Sequence, residues 1–222
     1  ILVTGGSKGI GKKISFRLSD LGHKVIICSR NKSDLIKISQ TSNIDIFKCD
    51  ISNKEDVTKM FSHIFKKYKK LDILINNASI SHNIINIENL DEKTIDNILN
   101  INIKGSLWCT QHALRIMKPQ KFGKIITIGS SGIKCGRVGQ SAYLCSKNAL
   151  KTLSECTALE GKEYNIFSYY VVPRRTNTEM RRKMYPNEDI SSLLDIDDLV
   201  SNIMFLFNDN IPNLNGSSFW IK

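Results

Sequence analysis

Tyr143 and Lys147 stand four residues apart in the segment GQSAYLCSKNALKTL, residues 139–153. Residues four apart on a helix share one face, so the ammonium of Lys147 can lie near the phenol of Tyr143. A free tyrosine has a pKa of about 10, and a nearby cation lowers it by favouring the phenolate. Such a pair could give and take a proton during ketone–alcohol exchange. Taken alone, the pair is more often an ordinary feature of a helix surface.

A glycine-rich turn, TGGSKGIG, spans residues 4–11, directly after one apolar segment and at the start of an amphipathic one. Glycine permits a tight turn and lets the backbone approach a pyrophosphate, which the following helix N-terminus attracts. The alternative is a glycine-rich turn without a ligand, but the strand–turn–helix context favours a dinucleotide site. The residues predicted to bind the cofactor here are Gly5, Ser7, Lys8, Gly9, Ile10 and Gly11.

Apolar strand-like segments alternate along the chain with segments of helical period. The predicted strands are 1–5, 23–30, 43–52, 71–79, 123–131, 165–173 and 217–222. The predicted helices are 11–22, 31–42, 53–70, 91–117, 141–161 and 196–208. This alternation predicts an α/β fold: one Rossmann-type, doubly wound parallel sheet with helices on both faces, forming a single domain over residues 1–222. Its ligand should lie beyond the C-terminal ends of the strands.

Several further motifs match one family. The Gly-x-x-x-Gly-x-Gly spacing after Thr4, the stretch NNAS at 76–79 and the stretch YLCSK at 143–147 together resemble the short-chain dehydrogenase/reductase family. The resemblance runs from residue 1 to the last strand. The family's Asn-Ser-Tyr-Lys set corresponds to Asn102, Ser130, Tyr143 and Lys147. Ser131 is the other candidate serine, and the usual spacing of thirteen residues before the tyrosine favours Ser130.

The resemblance implies a role for each of these four residues. Tyr143 would donate a proton during reduction and accept one during oxidation, while Ser130 would hydrogen-bond the substrate oxygen. Lys147 would hold the nicotinamide ribose hydroxyls, and Asn102 would hold a water in the proton relay to Lys147. Further cofactor contacts are implied at Asp50, Ile51, Asn77, Ala78, Pro173, Thr176 and Thr178.

The second strand ends in Ser29 and Arg30, where a carboxylate would suit NAD and a basic group suits the 2′-phosphate of NADP. Lys8 in the glycine turn adds a second cation. We therefore predict that both Ser29 and Arg30 bind cofactor and that NADP(H) is preferred over NAD(H). The alternative is that Arg30 is an ordinary solvated loop residue.

The segment VVPRRTNTEMRRK, residues 171–183, departs from the family because Arg174 stands where a glycine usually follows the proline. It resembles the reductases that accompany pentitol-phosphate cytidylyltransferases and that reduce ribulose 5-phosphate to ribitol 5-phosphate. Arginine captures phosphate through two parallel hydrogen bonds, which makes Arg174, Arg175 and Arg181 candidate substrate residues. Alternatively, these arginines pair with acidic residues such as Glu179 or Asp189 and order the loop.

Three other functions compete with a sugar-phosphate reductase. The stretch GQSAYLCSK also resembles 3-oxoacyl-thioester reductases. A non-catalytic dinucleotide-binding regulatory protein is a further alternative, because Ser79 and Arg174 replace glycines of the family pattern. A nucleotide-sugar epimerase is excluded, because those relatives are longer and use a different glycine turn.

The net charge of +11 and the pI of about 9.4 allow two interpretations. One is an anionic partner, and the other, which we favour, is a Lys-, Asn- and Ile-rich composition of the kind that AT-rich coding produces. We expect no nucleic-acid partner, no membrane span and no metal site. We expect a cytoplasmic homodimer or homotetramer whose six cysteines are buried thiols, and a few residues before Ile1, since the chain starts in mid-strand.

Overall fold

A computed structural model of the chain describes residues 1–207 and 212–222. The strands in this part of the chain are β1 (Leu2–Thr4), β2 (Ile26–Ser29), β3 (Asp45–Lys48), β4 (Ile73–Asn76), β5 (Gly123–Ile128), β6 (Ile166–Pro173) and β7 (Ser218–Ile221). They form a seven-stranded sheet in the order β3-β2-β1-β4-β5-β6-β7. Each neighbouring pair is parallel. The predicted doubly wound parallel sheet is confirmed.

Helices alternate with these strands along the chain. The α-helices are α1 (Gly9–Asp20), α2 (Lys32–Thr41), α3 (Lys54–Tyr68), α4 (Glu92–Ile98), α5 (Ser106–Gln120), α6 (Ser141–Gly161), α7 (Glu179–Met184) and α8 (Ile196–Ile203). A π-helical segment, Leu99–Gly105, joins α4 to α5. Short 3₁₀ turns cover Ile87–Asn89, Ser131–Lys134, Lys162–Tyr164, Ile190–Ser192, Met204–Phe207 and Pro212–Leu214.

The two faces of the sheet are covered by different helices. On one face, α1, α2 and α8 contribute apolar side chains such as Ile14, Leu35 and Leu199 to a continuous core. On the other face, α3 and α5 pack against the sheet through residues such as Phe61 and Met117. All eight residues of β6 are buried, as expected for a strand inside a parallel sheet covered on both sides.

Some predicted boundaries were wrong. The single helix predicted over 91–117 is α4, the π segment and α5, which runs on to Gln120. The first helix ends at Asp20 rather than at Gly22. The helix predicted over 196–208 is α-helical to Ile203 and 3₁₀-helical to Phe207, and its last predicted residue, Asn208, lies outside the described residues.

Helix α7 was not predicted, although the sequence carries a local signal for it. Thr178 precedes the helix, and its side chain accepts a hydrogen bond from the backbone N–H of Arg181. Glu179 adds a negative charge to the first turn, where the helix dipole favours it. The helix matters for function because it carries Arg181 to the edge of the cavity described below.

Two expectations drawn from composition can be compared with the structure. The prediction of buried cysteines was wrong for Cys135, Cys145 and Cys156, which are exposed free thiols; Cys28, Cys49 and Cys109 are buried. Across residues 1–207 and 212–222, each helix is too short or too polar to cross a membrane.

Candidate active site

A cavity of about 630 Å³ lies at the C-terminal edge of the sheet. Its walls include residues that directly follow five neighbouring strands, namely Gly5, Arg30, Asn77, Gly129 and Arg174. This is the edge where a doubly wound sheet binds its ligand. All the predicted site residues line the cavity except Ser7, Gly11 and Asn102.

The glycine turn is fitted closely to the end of β4. Gly5 has a φ of +63°, and a Cβ atom built on it would lie 2.8 Å from the Cα of Ala78. The side-chain amide of Asn77 donates to the carbonyl oxygens of Thr4 at 2.9 Å and of Gly5 at 3.1 Å. A Cβ on Gly11 would collide with Asn77, so Gly11 allows this packing without itself facing the cavity.

The end of the cavity beside β2 is polar and basic. Ser7 does not line the cavity. Its hydroxyl donates a hydrogen bond to the Ser29 hydroxyl at 3.0 Å and so orients the Ser29 side chain, which does line the cavity. Lys8 forms an ion pair of 3.3 Å with Asp34. Arg30 is exposed and lines the cavity, and no ion pair to it occurs within the described residues. Arg30 is therefore the cation at this end that is free to receive a ligand.

Asp50 lines the same end of the cavity, and its carboxylate is turned toward its own loop. One oxygen accepts from the backbone N–H of Ser52 at 3.0 Å and from the Ser52 hydroxyl at 2.7 Å. These bonds fix the loop that presents Ile51 to the cavity.

Ser130, Tyr143 and Lys147 converge on the opposite end. Ser130 follows β5, Tyr143 lies in the first turn of α6, and the Ser130 side chain is near enough to the phenol to act on its pKa through hydrogen bonding. Ser131 also lines the cavity, but its hydroxyl accepts a long 3.4 Å contact from Arg137 instead. The preference for Ser130 over Ser131 thus agrees with the contact that Tyr143 makes.

Lys147 is buried, with 2% of its surface exposed. Its ammonium donates to the carbonyl oxygen of Ile128 at 2.8 Å and lies 5.8 Å from the centre of the Tyr143 ring. Burial lowers the pKa of Lys147 to about 8, because the charged form loses its hydration.

The pKa of Tyr143 differs from the sequence-based expectation. Burial raises it above the ordinary value, and the hydrogen bond from Ser130 and the charges of Arg137 and Arg181 oppose that rise only in part. A cation four residues along the helix is therefore not enough to bring the pKa below its usual range in the protein alone. At neutral pH Tyr143 is a neutral phenol, the form that can donate a proton.

Asn102 lies in the π segment, is fully buried and does not line the cavity. Its side-chain oxygen accepts from the N–H of Ile80 at 2.9 Å. Its amide donates to the Ile80 carbonyl oxygen and to the Ser146 hydroxyl, both at 2.9 Å. Through these bonds Asn102 connects the loop after β4 to α6, which makes it a positioning residue. Its predicted binding of a water in the proton relay stays a prediction.

Two of the three arginines at the other rim of the cavity form ion pairs with Glu188, a partner that was not predicted from the sequence. Arg181 makes two bonds of 2.6 Å to Glu188, and Arg175 contacts the same carboxylate at 3.3 Å. Arg174 donates to the carbonyl oxygen of Ser192 at 2.8 Å. The expected partners were wrong, because Glu179 pairs with Lys183 and Asp189 caps its own turn through Ser191.

Three residues around the site were missed in the sequence. Arg137 lines the cavity from the loop before α6. His82 is buried in the cavity wall after β4, and its Nδ1 lies 2.6 Å from the carbonyl oxygen of Asn83. Tyr170 is fully buried in β6, where its hydroxyl donates to the carbonyl oxygen of Lys147 at 2.7 Å. Position could have indicated Arg137, since it stands between the strand-end Ser130 and the helical Tyr143.

The two departures from the family pattern leave the backbone relaxed. Neither Ser79 nor Arg174 has a positive φ, the conformation in which a glycine would be needed. Both residues line the cavity. Within residues 1–207 and 212–222, the His, Cys, Asp and Glu side chains form no cluster able to hold a metal ion.

Comparison with known proteins gives concordant matches. The family model described as short chain dehydrogenase matches residues 1–189. The chain is 30% identical to (+)-borneol dehydrogenase 2 of Salvia officinalis, over 99% of this chain and 86% of that protein. It is 29% identical to the 3-oxoacyl-[acyl-carrier-protein] reductase MabA of Mycobacterium tuberculosis, over 83% of this chain and 72% of that protein. The solved structure of ElxO with NADP bound superposes with a TM-score of 0.90 at 27% identity, covering 99% of this chain and 95% of that one.

Proposed function

Since the chain belongs to the short-chain dehydrogenase family and is therefore an oxidoreductase, we propose that it interconverts a carbonyl and a secondary alcohol with NADP(H) at the cavity described above. The observation that carries the proposal is the contact between Ser130 and Tyr143 beside the buried ammonium of Lys147. These groups lie in the same cavity as the glycine turn, so a proton donor and a dinucleotide site share one space.

The residues present fit a dinucleotide. Gly5 lets the turn pack against Ala78 where a Cβ would collide, and α1 begins at Gly9, so its N-terminus can attract a pyrophosphate. Arg30, which no described carboxylate pairs, offers a cation near the end of β2 for a 2′-phosphate, while Asp34, the nearby carboxylate, is paired with Lys8. ElxO, a structural relative, is described with NADP bound. Together these observations support NADP(H) over NAD(H).

In the proposed mechanism the protein positions the carbonyl and supplies the proton. A nicotinamide bound in this cavity would supply a hydride to the carbonyl carbon during reduction and would accept one from the alcohol carbon during oxidation. Ser130 hydrogen-bonds the carbonyl oxygen and stabilises the negative charge that develops there. Tyr143 donates its phenolic proton to that oxygen, which completes the alcohol. The Lys147 ammonium, one helical turn away, would stabilise the tyrosinate that remains and hold the ribose hydroxyls.

The cofactor preference is tested by Arg30→Glu, with Arg17→Glu as the matched control. Arg17 is an exposed residue of α1 and does not line the cavity. We expect Arg30→Glu to weaken NADPH binding by about 10- to 100-fold, the loss of a charge-assisted hydrogen bond, and to spare NADH binding. Fluorescence titration with both nucleotides measures this. Equal NADPH affinities in the two variants would contradict the proposed role of Arg30.

For the substrate we propose a phosphorylated sugar such as ribulose 5-phosphate. Arg174, Arg175 and Arg181 line the cavity, which makes its substrate end polar and basic. A polar, arginine-lined end suits a phosphate better than an acyl chain. Glu188 offsets part of this charge, because it binds Arg175 and Arg181 at once.

A 3-oxoacyl thioester is the second candidate, favoured by the similarity to MabA, which is named as a 3-oxoacyl-[acyl-carrier-protein] reductase. The two candidates are separated by following the loss of reduced-nicotinamide absorbance with ribulose 5-phosphate and acetoacetyl coenzyme A in parallel. Turnover of the sugar phosphate alone supports the first proposal. Turnover of the thioester alone would contradict it and support the second.

The expected homo-oligomer is also a proposal for this chain. Members of the family commonly dimerise through the two long helices, here α5 and α6. Leu107 on α5 and Leu159 on α6 have 43% and 76% of their surface exposed, and a partner that packs on these two helices would cover them. Light scattering of the wild type and of Leu159→Glu would test whether this face is an interface.

A further inference from the structure

A second cavity, of about 640 Å³, opens beside the substrate end of the first one. The two cavities share Arg137, Arg175, Arg181 and Met184, so they lie next to each other on either side of these side chains. The rest of the second cavity is formed by residues 185–188. Three guanidinium groups therefore face a single carboxylate, that of Glu188.

The three arginines differ in how they are held. Arg181 is fixed by its two bonds to Glu188 and by the ring of Tyr185, whose centre lies 4.1 Å from its guanidinium carbon. Arg175 shares the same carboxylate at 3.3 Å. Arg137 makes one long contact of 3.4 Å with Ser131, and in the described part of the chain no carboxylate pairs with it. Arg137 thus presents an uncompensated charge on a partly exposed side chain.

The positive charge along the first cavity exceeds what a dinucleotide would use. Among the described residues, eight cationic side chains line this cavity against two carboxylates. One of those carboxylates, Glu179, is already paired with Lys183. The cations predicted to meet the cofactor are Lys8, Arg30 and Lys147. Glu188 pairs with Arg175 and Arg181, which leaves Arg137 as the arginine of the second cavity that no described carboxylate pairs. Arg137 and Arg181 both help to lower the pKa of Tyr143, so their charges act close to its phenol.

We propose that the second cavity is an anion-binding site in which Arg137, together with Arg181 fixed by Glu188, receives a phosphate or carboxylate group of the carbonyl substrate. The inference rests on the proposed function, because it needs the reacting carbonyl at Ser130 and Tyr143. It gives the leading role to Arg137, which the sequence did not single out, rather than to Arg174. Glu188 orders two arginines and neutralises only one of their charges, so the site keeps a net positive charge.

The test uses the protein saturated with NADP⁺, so that added phosphate cannot occupy the cofactor's own phosphate sites. Inorganic phosphate is titrated by calorimetry into the wild type, Arg137→Gln and Arg182→Gln. Arg182 is an exposed neighbour that bonds Asn177 and lines neither cavity, so its variant controls for the loss of one charge. We expect Arg137→Gln to weaken phosphate binding by about tenfold or more, and Arg182→Gln to leave it nearly unchanged.

Displacement experiments then identify the source of the anion. Ribulose 5-phosphate that displaces phosphate from the wild type would assign the site to a phosphorylated sugar, and acetoacetyl coenzyme A that does so would assign it to a thioester. Displacement by neither compound would overturn the link between the site and these substrates. Equal phosphate affinity in Arg137→Gln and the wild type, with NADP⁺ binding intact, would overturn the anion site alone. A wild type that binds no NADP(H) would instead contradict the proposed function.

Discussion

The ammonium of Lys147 donates a hydrogen bond to the main-chain carbonyl of Ile128 at 2.8 Å, inside the protein and at the last residue of β5. This contact ties α6 to the centre of the sheet. Tyr170 completes the link from below, because its hydroxyl bonds the Lys147 carbonyl at 2.7 Å. Helix α6 is thus held at Lys147 from both sides, and the Lys147 ammonium is kept in a position where water cannot stabilise it.

The burial of Lys147 predicts a pH dependence of stability. Its pKa in the folded protein is about 8, below the ordinary value of 10.5, so between these values the unfolded chain binds a proton that the folded protein does not. The penalty for the buried charge is therefore fully present below about pH 8 and is relieved as the pH rises toward 10.5. Lys147→Met removes this penalty.

Urea unfolding at pH 7 and pH 10 measures the effect. The stability of Lys147→Met relative to the wild type should fall by about 1–3 kcal/mol between the two pH values. Comparing the variant with the wild type at each pH cancels the titration of the other groups. A difference that stays constant with pH would contradict the lowered pKa of Lys147.

Replacing Asn102 should loosen the site without removing any group that faces the cavity. Asn102→Ala leaves the N–H and the carbonyl of Ile80 without their partners in a buried setting, which costs about 1–3 kcal/mol of unfolding free energy. Asn148, an exposed residue of α6, supplies the control variant Asn148→Ala. Denaturant unfolding of the two variants compares the losses, and similar stabilities would rule out the positioning role.

Ser130 and Ser131 form a natural matched pair, because they are adjacent and both line the cavity. Ser130 contacts Tyr143, whereas Ser131 contacts Arg137. Ser130→Ala should lower kcat by about 100- to 1,000-fold, the usual effect of removing a donor to a developing oxyanion. Ser131→Ala should cost much less. Steady-state kinetics with whichever of ribulose 5-phosphate and acetoacetyl coenzyme A the wild type turns over measures both losses. The reverse order of losses would move the catalytic role to Ser131.

Gly5 and Gly22 both have a positive φ, but only Gly5 is closely packed, so alanine variants of the two distinguish backbone strain from steric collision. A Cβ on Gly5 would lie 2.8 Å from the Cα of Ala78, while one on Gly22 would meet nothing within 4 Å. Gly22→Ala should therefore lower the free energy of unfolding by only about 1–2 kcal/mol, the cost of a left-handed conformation for a residue with a Cβ. Gly5→Ala should cost more and should also weaken NADPH binding. Thermal unfolding and nucleotide titration test both variants, and equal effects would mean that the turn is not closely packed.

The sequence was sufficient for those features that local patterns determine. Alternating apolar and amphipathic segments predicted the parallel sheet, and the spacing of Gly5, Gly9 and Gly11 predicted the turn at its edge. The link between Arg181 and Glu188 could not be predicted, because carboxylates at 179 and 189 were equally plausible partners until the chain folded. The π segment was missed as well; Asn102 within it bonds Ile80, a contact between separate elements that no local pattern indicates.

The measurement that tests the central claim most directly is NADPH consumption by the wild type and by Tyr143→Phe, with ribulose 5-phosphate and acetoacetyl coenzyme A offered as carbonyl substrates. Tyr164→Phe is the control, because Tyr164 lies after α6 and does not line the cavity. We predict that Tyr143→Phe loses about 100- to 10,000-fold in kcat, the usual contribution of a general acid, while its affinity for NADPH stays unchanged. Turnover by Tyr143→Phe equal to that of the wild type would contradict the assignment of Tyr143 as the proton donor.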